Sequence, residues 1–182
     1  MRSSAASDVY KRQLYHSAFL VELSHCSLLF DWYGGAIPAF DRHKPLYVFS
    51  SHHHGDHYSP EIFSLLGMDN VWYVLANCIR LSAKRKAALG IEETHVLRVS
   101  AGRTFPLEEL RITTFRSTDA GVAFLVETEG KTLFHAGDLQ WWHWEEEPKH
   151  WNDEMEREFK KEGAKLMGRK IDAVSYTHLT LP

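Results

Sequence analysis

The sequence predicts an α/β (α+β) domain in which mixed β-sheets are covered by helices. Short apolar runs separated by glycines recur along most of the chain. Two of them form a hairpin near the N-terminus, and later ones alternate with helical stretches. With 182 residues, 44% hydrophobic and 25% charged, the chain is long enough to bury one full core. That composition excludes a disordered chain. No apolar run approaches the roughly 18 residues a membrane span needs.

The elements follow in order. Residues 14–22 (LYHSAFLVE) and 27–31 (SLLFD) read as strands around a polar turn, the second a buried run ending in an acid. Trp32 to Asp41 is a loop by its breakers Gly34, Gly35 and Pro38. Leu46–Ser50 is a short apolar strand. Ser59-Pro60-Glu61 then signals a helix start, with a hydroxyl cap, proline in the first turn and an acid. Val71–Leu75 reads as a strand and Cys78–Leu89 as a helix stopped by Gly90. His95–Val99, Leu110–Phe115, Val122–Glu127 and Thr132–His135 are strand-like, punctuated by Gly102, Gly121 and Gly130. Trp151, Met155, Phe159 and Leu166 share one face, so 150–167 predicts an amphipathic helix. Ile171–Ala173 is a strand that has only begun. There is no internal repeat or linker, so a single domain is expected.

Both ends differ in character from the rest. Residues 1–13 (MRSSAASDVYKRQ) and 174–182 (VSYTHLTLP) resemble translated adapter sequence, the alternative being ordinary polar tails. Neither carries the apolar stretch of a secretory signal. The expected native part is 14–173, continuing beyond Ala173 in a longer protein. Net charge is −3, and setting aside the first thirteen residues makes the core more acidic still, which argues against a nucleic acid partner. Cys26 and Cys78 match no metal or redox spacing. Two lone thiols fit a reducing, cytoplasmic compartment. No feature speaks to oligomeric state.

The chemistry is concentrated in His52-His53-His54-Gly55-Asp56-His57, an H-x-H-x-D-H run just after a strand. In extended chain, side chains two apart point the same way, so His52 and His54 can converge on one metal while His53 points away. Gly55 permits a sharp turn that brings Asp56 and His57 to a second position. Imidazoles with a carboxylate suit zinc, with iron or manganese as alternatives. Asp138, after Ala136-Gly137, is a further candidate ligand, since Gly137 lets the backbone bend and turn the carboxylate inward.

The H-x-H-x-D-H run resembles the signature of the metallo-β-lactamase superfamily. His16-Ser17-Ala18-Phe19-Leu20-Val21-Glu22 followed by Leu28-Leu29-Phe30-Asp31 is similar to that family's opening hairpin, and His135-Ala136-Gly137-Asp138 resembles its later motif. The resemblance covers about residues 14–173. It implies two mixed β-sheets packed face to face with helices outside, an αβ/βα sandwich, here incomplete at the C-terminus. It also implies metal ligation by His52, His54, Asp56, His57 and a bridging Asp138, with two zinc ions the expected cofactor. Asp31 is expected behind the ligands, accepting a proton from a ligand histidine.

Two departures qualify the resemblance. The family places a ligand histidine before the strand matching Val122–Glu127, where this chain reads Phe115-Arg116-Ser117-Thr118-Asp119-Ala120-Gly121. Asp119 either supplies an oxygen instead or is a turn aspartate. The family's last histidine ligand has no counterpart, because His178 lies in the adapter-like end.

His16 and His135 either line the cleft or are hydrogen-bonded core histidines. Trp141, Trp142 and Trp144 either wall a substrate pocket or pack as a covering flap.

These readings imply a metal-dependent hydrolase that uses a metal-bound hydroxide, positioned by Asp56, on a small ester, lactone or phosphate ester. In look the chain is similar to the sugar-acid lactonase branch. The alternatives are a phosphodiesterase or nuclease, or a metal-binding protein of the same fold without turnover. A diiron oxidoreductase usually carries a carboxylate where this chain has His54.

Overall fold

The structure, a computed structural model, describes residues 10–14, 17–65, 70–91 and 93–176. Its first sheet contains β1 (Tyr10–Gln13), β2 (Phe19–Glu22), β3 (Ser27–Phe30), β4 (Leu46–Ser50), β5 (Val71–Ala76) and β6 (Val96–Val99), in that spatial order. The β1–β2 and β2–β3 pairs are antiparallel, and β3–β4, β4–β5 and β5–β6 are parallel. The second sheet contains β7 (Thr104–Leu107), β8 (Leu110–Arg116), β9 (Val122–Thr128), β10 (Lys131–His135) and β11 (Ala173–Ser175), antiparallel except for the parallel β10–β11 pair. Helices α1 (Ile62–Leu65), α2 (Ala83–Ala88) and α3 (Lys149–Ala164) complete the described elements, with a 3₁₀ turn at Glu93–His95.

Side-chain alternation creates three apolar layers. Tyr47 and Phe49 of β4 face inward with Phe19, Phe30 and Val74, and meet Ile112, Phe124 and Val126 of the second sheet. The Phe49 and Phe124 rings cross edge to face at 5.3 Å between the sheets. Leu46 and Val48 point the other way and pack with Leu20, Leu29 and Ile62 of α1. Ala123 and Leu125 point outward from β9 to Phe159 and Leu166, in and just beyond α3. Strands β4 and β9 are buried on both faces, which explains why each reads as a continuous apolar run. The molecule is thus a sandwich of two mixed sheets with helices outside.

Several boundaries moved. The strand expected over 14–22 begins only at Phe19, because the Leu14 N–H donates to the Ala18 carbonyl and closes a bend. Strand β7, which contains Pro106, has no counterpart in the sequence reading. It lies at the sheet edge, where proline is tolerated. The helix expected over 78–89 forms only from Ala83, capped by Ser82, whose hydroxyl accepts the Arg85 N–H. Strand pairing also extends past the 14–173 span, through β1 on one side and Val174 and Ser175 of β11 on the other. Both are edge additions, where backbone pairing makes little demand on side chains. His16 and His178 lie outside the described residues. Among the described residues, no helix is long and apolar enough to cross a membrane.

Candidate metal centre

Three chain segments meet where β4 ends. The β4 strand runs into Ser51 and His52, and the β9 strand starts beside them, its Val122 N–H donating to the Ser51 carbonyl at 3.0 Å. Gly121 (φ 72°) and Gly137 (φ 51°) make this approach possible. A Cβ on Gly121 would sit 1.9 Å from the Ser51 carbonyl oxygen, and one on Gly137 would sit 2.9 Å from the Ser51 Cβ. Only glycine combines that closeness with positive φ.

Asp31 anchors the cluster. It follows β3 with φ 45°, a left-handed conformation that aspartate tolerates better than most side chains. Its carboxylate is fully buried and accepts four hydrogen bonds. The Ser51 N–H reaches Oδ1 at 2.7 Å. The Ser51 hydroxyl (2.7 Å), His57 Nδ1 (2.8 Å) and His135 Nε2 (2.7 Å) all donate to Oδ2. Burial by itself would raise this carboxyl's pKa, but the charges and hydrogen bonds of His135 and His57 hold it well below the usual carboxylate range.

This network decides the tautomers. Because the Ser51 hydroxyl proton goes to Asp31, the Ser51 oxygen accepts from His52 Nδ1 at 2.9 Å. His57 likewise commits its Nδ1 proton to Asp31. The Nε2 atoms of both rings therefore face Asp138, His52 at 3.3 Å from Oδ2 and His57 at 3.2 Å from Oδ1. His52 Nε2 is buried without a hydrogen-bond partner. Burial lowers the His52 pKa and the neighbouring His57 lowers it further, partly offset by Asp31 and Asp138, so this ring is held neutral with its Nε2 lone pair unpaired. For His57, burial works downward, but hydrogen bonds and charge from Asp138 and Asp31 win and push it up to about 10. Asp138, which burial would raise, is held low by His57 and His52.

Two sets of donors result. His52, His57 and Asp138 form a buried set, and His54, Asp119 and Asp138 a more open one, each with ligand atoms within 4.8 Å of one another. His54 Nδ1 lies 3.7 Å from Asp119 Oδ2. Asp138 is common to both. An unsatisfied buried imidazole nitrogen aimed at a carboxylate shared between two donor sets fits a metal centre, and the nitrogen and oxygen donors suit zinc, iron or manganese.

The grouping differs from the one the spacing predicts. Extended geometry places His52 with His54, and Asp56 with His57. Instead the chain leaves the extended conformation after His52, and the His57 N–H bonds the His54 carbonyl at 3.0 Å in a tight turn that folds His57 beneath His52. The His52 ring lies 4.2 Å from that of His57 and 4.5 Å from that of His54, centroid to centroid. His53 points to solvent. Asp56 is 60% exposed, 3.8 Å from His57 Nε2, and belongs to neither set. Asp31 lies beside His57, accepting the proton of its Nδ1, as it does that of His135 Nε2. His135 is a buried histidine between Asp31 and Ser175 Oγ (3.1 Å), not a cleft wall. Ser51 and Ser17, whose Oγ lies 3.2 Å from His57 Nε2, escaped the sequence reading because no spacing rule singles out a hydroxyl beside a histidine run.

With fold and geometry established, solved structures provide the comparison. A HARLDQ-motif mutant of the metallo-β-lactamase from Cronobacter sakazakii superimposes with a TM-score of 0.52 at 15% identity, over 94% of this chain and 81% of that one. The fold is that of the metallo-β-lactamases. The MIM-2 metallo-β-lactamase matches with a TM-score of 0.50 at 18% identity, covering 88% of this chain and 69% of its own. A point mutant of the CmlA β-hydroxylase reaches a TM-score of 0.57 at 12% identity, over 95% of this chain but 35% of the other. The chain spans less than two thirds of several matched structures, 63% in the case of one from Parabacteroides distasonis. No protein-family model and no curated protein sequence matches the chain.

Proposed function

We propose that this chain is a metal-dependent hydrolase for a small ester, lactone or phosphate ester, with His52, His57, Asp138, His54 and Asp119 as ligands. The observation that carries this reading is Asp138 shared between two histidine-carboxylate sets, one of which holds an unpartnered buried Nε2. Zinc, iron or manganese bound there would supply Lewis acidity and a nucleophile from water at neutral pH. The chain's own residues prepare the site. Asp31 and Ser51 keep protons on the Nδ1 atoms, so both Nε2 atoms face inward, that of His52 as a free lone pair and that of His57 as a ligand once its second proton is displaced. Asp56, exposed with its carboxylate 3.8 Å from His57 Nε2 and outside both donor sets, is assigned to orient the attacking water.

Within hydrolases, the sequence's likeness to sugar-acid lactonases favours a lactone, with a phosphodiester as runner-up. Free thiols at Cys26 and Cys78 support a cytoplasmic setting. A second reading, metal binding without turnover, is favoured by the more open set, in which Asp119 stands where the resemblance leads one to expect a histidine. The test is elemental analysis of the purified 182-residue chain alongside a hydrolysis panel of esters, lactones and phosphodiesters. Metal with turnover supports the hydrolase. Metal without turnover leaves the binding protein, and absence of zinc, iron and manganese from the folded chain overturns both.

A further inference from the structure

Beside the open donor set, Asp119 and Thr118 form one side of a cavity of about 250 Å³ whose other walls are Trp142, Trp144, Trp151 and Met155. We infer that this cavity is the specificity pocket of the proposed hydrolase and takes a neutral apolar acyl or aryl group carrying one hydrogen-bond acceptor. The inference rests on the hydrolase reading for its reaction, but on this cavity alone for its ligand.

Four observations carry it. The pocket is continuous with the candidate metal centre, because Asp119 belongs to both. It is also tied to it through Thr118, whose hydroxyl bridges the carbonyls of Asp138 (3.0 Å) and Gln140 (2.7 Å). The walls are held in place before any ligand arrives. Asn152 of α3 accepts the Trp144 N–H at 3.1 Å and donates to the Trp144 carbonyl at 2.9 Å, and the Trp142 and Trp144 rings lie parallel, 6° apart in plane and 6.1 Å between centroids. Finally, Trp142 Nε1 is buried without a partner, a donor waiting for an acceptor.

The chemistry of the walls selects the ligand. Three indoles and a thioether favour an apolar or flat group, and a single indole N–H gives it one polar anchor. Among the described residues no cationic side chain lines the cavity, so a carboxylate placed inside it would lose its water without gaining a partner, and a group bearing one is discriminated against. The volume falls below the roughly 300–1,000 Å³ of whole-ligand pockets, which suits one portion of a substrate whose scissile bond lies at the metal centre. Preorganised walls limit the ordering cost of binding.

The experiment uses the 182-residue chain, metal-free and zinc-loaded, labelled with ¹⁵N. The Trp142 indole N–H resonance is assigned by its loss in Trp142→Phe. Titration with hexanamide and with phenylacetamide is expected to shift that resonance, and gluconate is expected to leave it in place. In Trp142→Phe the dissociation constant for hexanamide, followed by ligand-observed saturation transfer, rises about five-fold, the scale of one hydrogen bond. Trp142→Ala weakens it further. If turnover is present, p-nitrophenyl hexanoate is preferred over the acetate, and Trp142→Phe raises KM with little change in kcat. Amide binding without ester turnover leaves the pocket standing and defeats the hydrolase reading. No shift of the Trp142 resonance, or an equal shift with gluconate, overturns the inference even if esters are hydrolysed.

Discussion

The two donor sets that share Asp138 are built in opposite ways. His52 and His57 are buried, and each has its second nitrogen secured by Asp31, directly or through Ser51. His54 and Asp119 are partly exposed, 43% and 51% for their side chains, and meet only across 3.7 Å. A buried, hydrogen-bonded set is organised before it binds anything, whereas an open set must give up side-chain freedom to close. The lesson is that affinity and adaptability are divided between them. The inner set is organised around Asp31, and the outer set adjoins the tryptophan-lined cavity through Asp119.

The comparison can be broken or sharpened by experiment. The largest effect is expected from Gly121→Ala, which forces a Cβ into the Ser51 carbonyl at positive φ. It should cost about 3 kcal/mol or more of stability, read as a drop in thermal midpoint, and abolish both sets together. Asp138→Ala removes the shared carboxylate. Calorimetric titration with zinc should then show both sites lost while the fold persists, a larger loss of affinity than the roughly 10–100-fold typical of outer hydrogen-bond partners.

Acidity separates the two sets next. In the metal-free protein His57 holds a proton up to about pH 10, and that proton must leave before Nε2 can ligate. Raising pH from 6 to 8 should therefore tighten the inner site, by about tenfold per pH unit for each proton displaced, with proton release seen as a dependence of the heat on buffer ionisation. A pH-independent inner site would contradict the protonation assigned to His57. The smallest and sharpest contrast pairs Asp31→Asn with Asp119→Ala. Asp31→Asn should weaken inner-site zinc binding about 10–100-fold and spare the outer site, and Asp119→Ala should do the reverse. Equal effects of both variants on both sites would dissolve the distinction.

Much of this was legible in the residues. The fourfold histidine cluster after an apolar strand, the acid ending β3 and the aspartate after Ala136-Gly137 could each be picked out one at a time. Legibility failed wherever a partner lies far along the chain. Ser51 looks ordinary until Asp31, 20 residues earlier, is placed against it. His135 reads equally as a cleft or a core histidine until the same carboxylate, 104 residues away, claims its Nε2. The grouping of His52 with His57 was hidden by a turn whose tightness no alternation rule describes. The tryptophan run could be read as core packing, flap or wall, and the contact that holds it, Asn152 of α3 with Trp144, joins residues the sequence gives no reason to pair.

By itself the sequence determined which residue types could bind a cation and that the chain would form strands apolar on both faces, because ligand chemistry and hydrophobic alternation are local properties. Only the tertiary structure decided which nitrogen of each imidazole faces inward, which donors stand together and what cavity adjoins them. Those outcomes depend on hydrogen bonds and close backbone approaches between segments brought together when the two sheets pack.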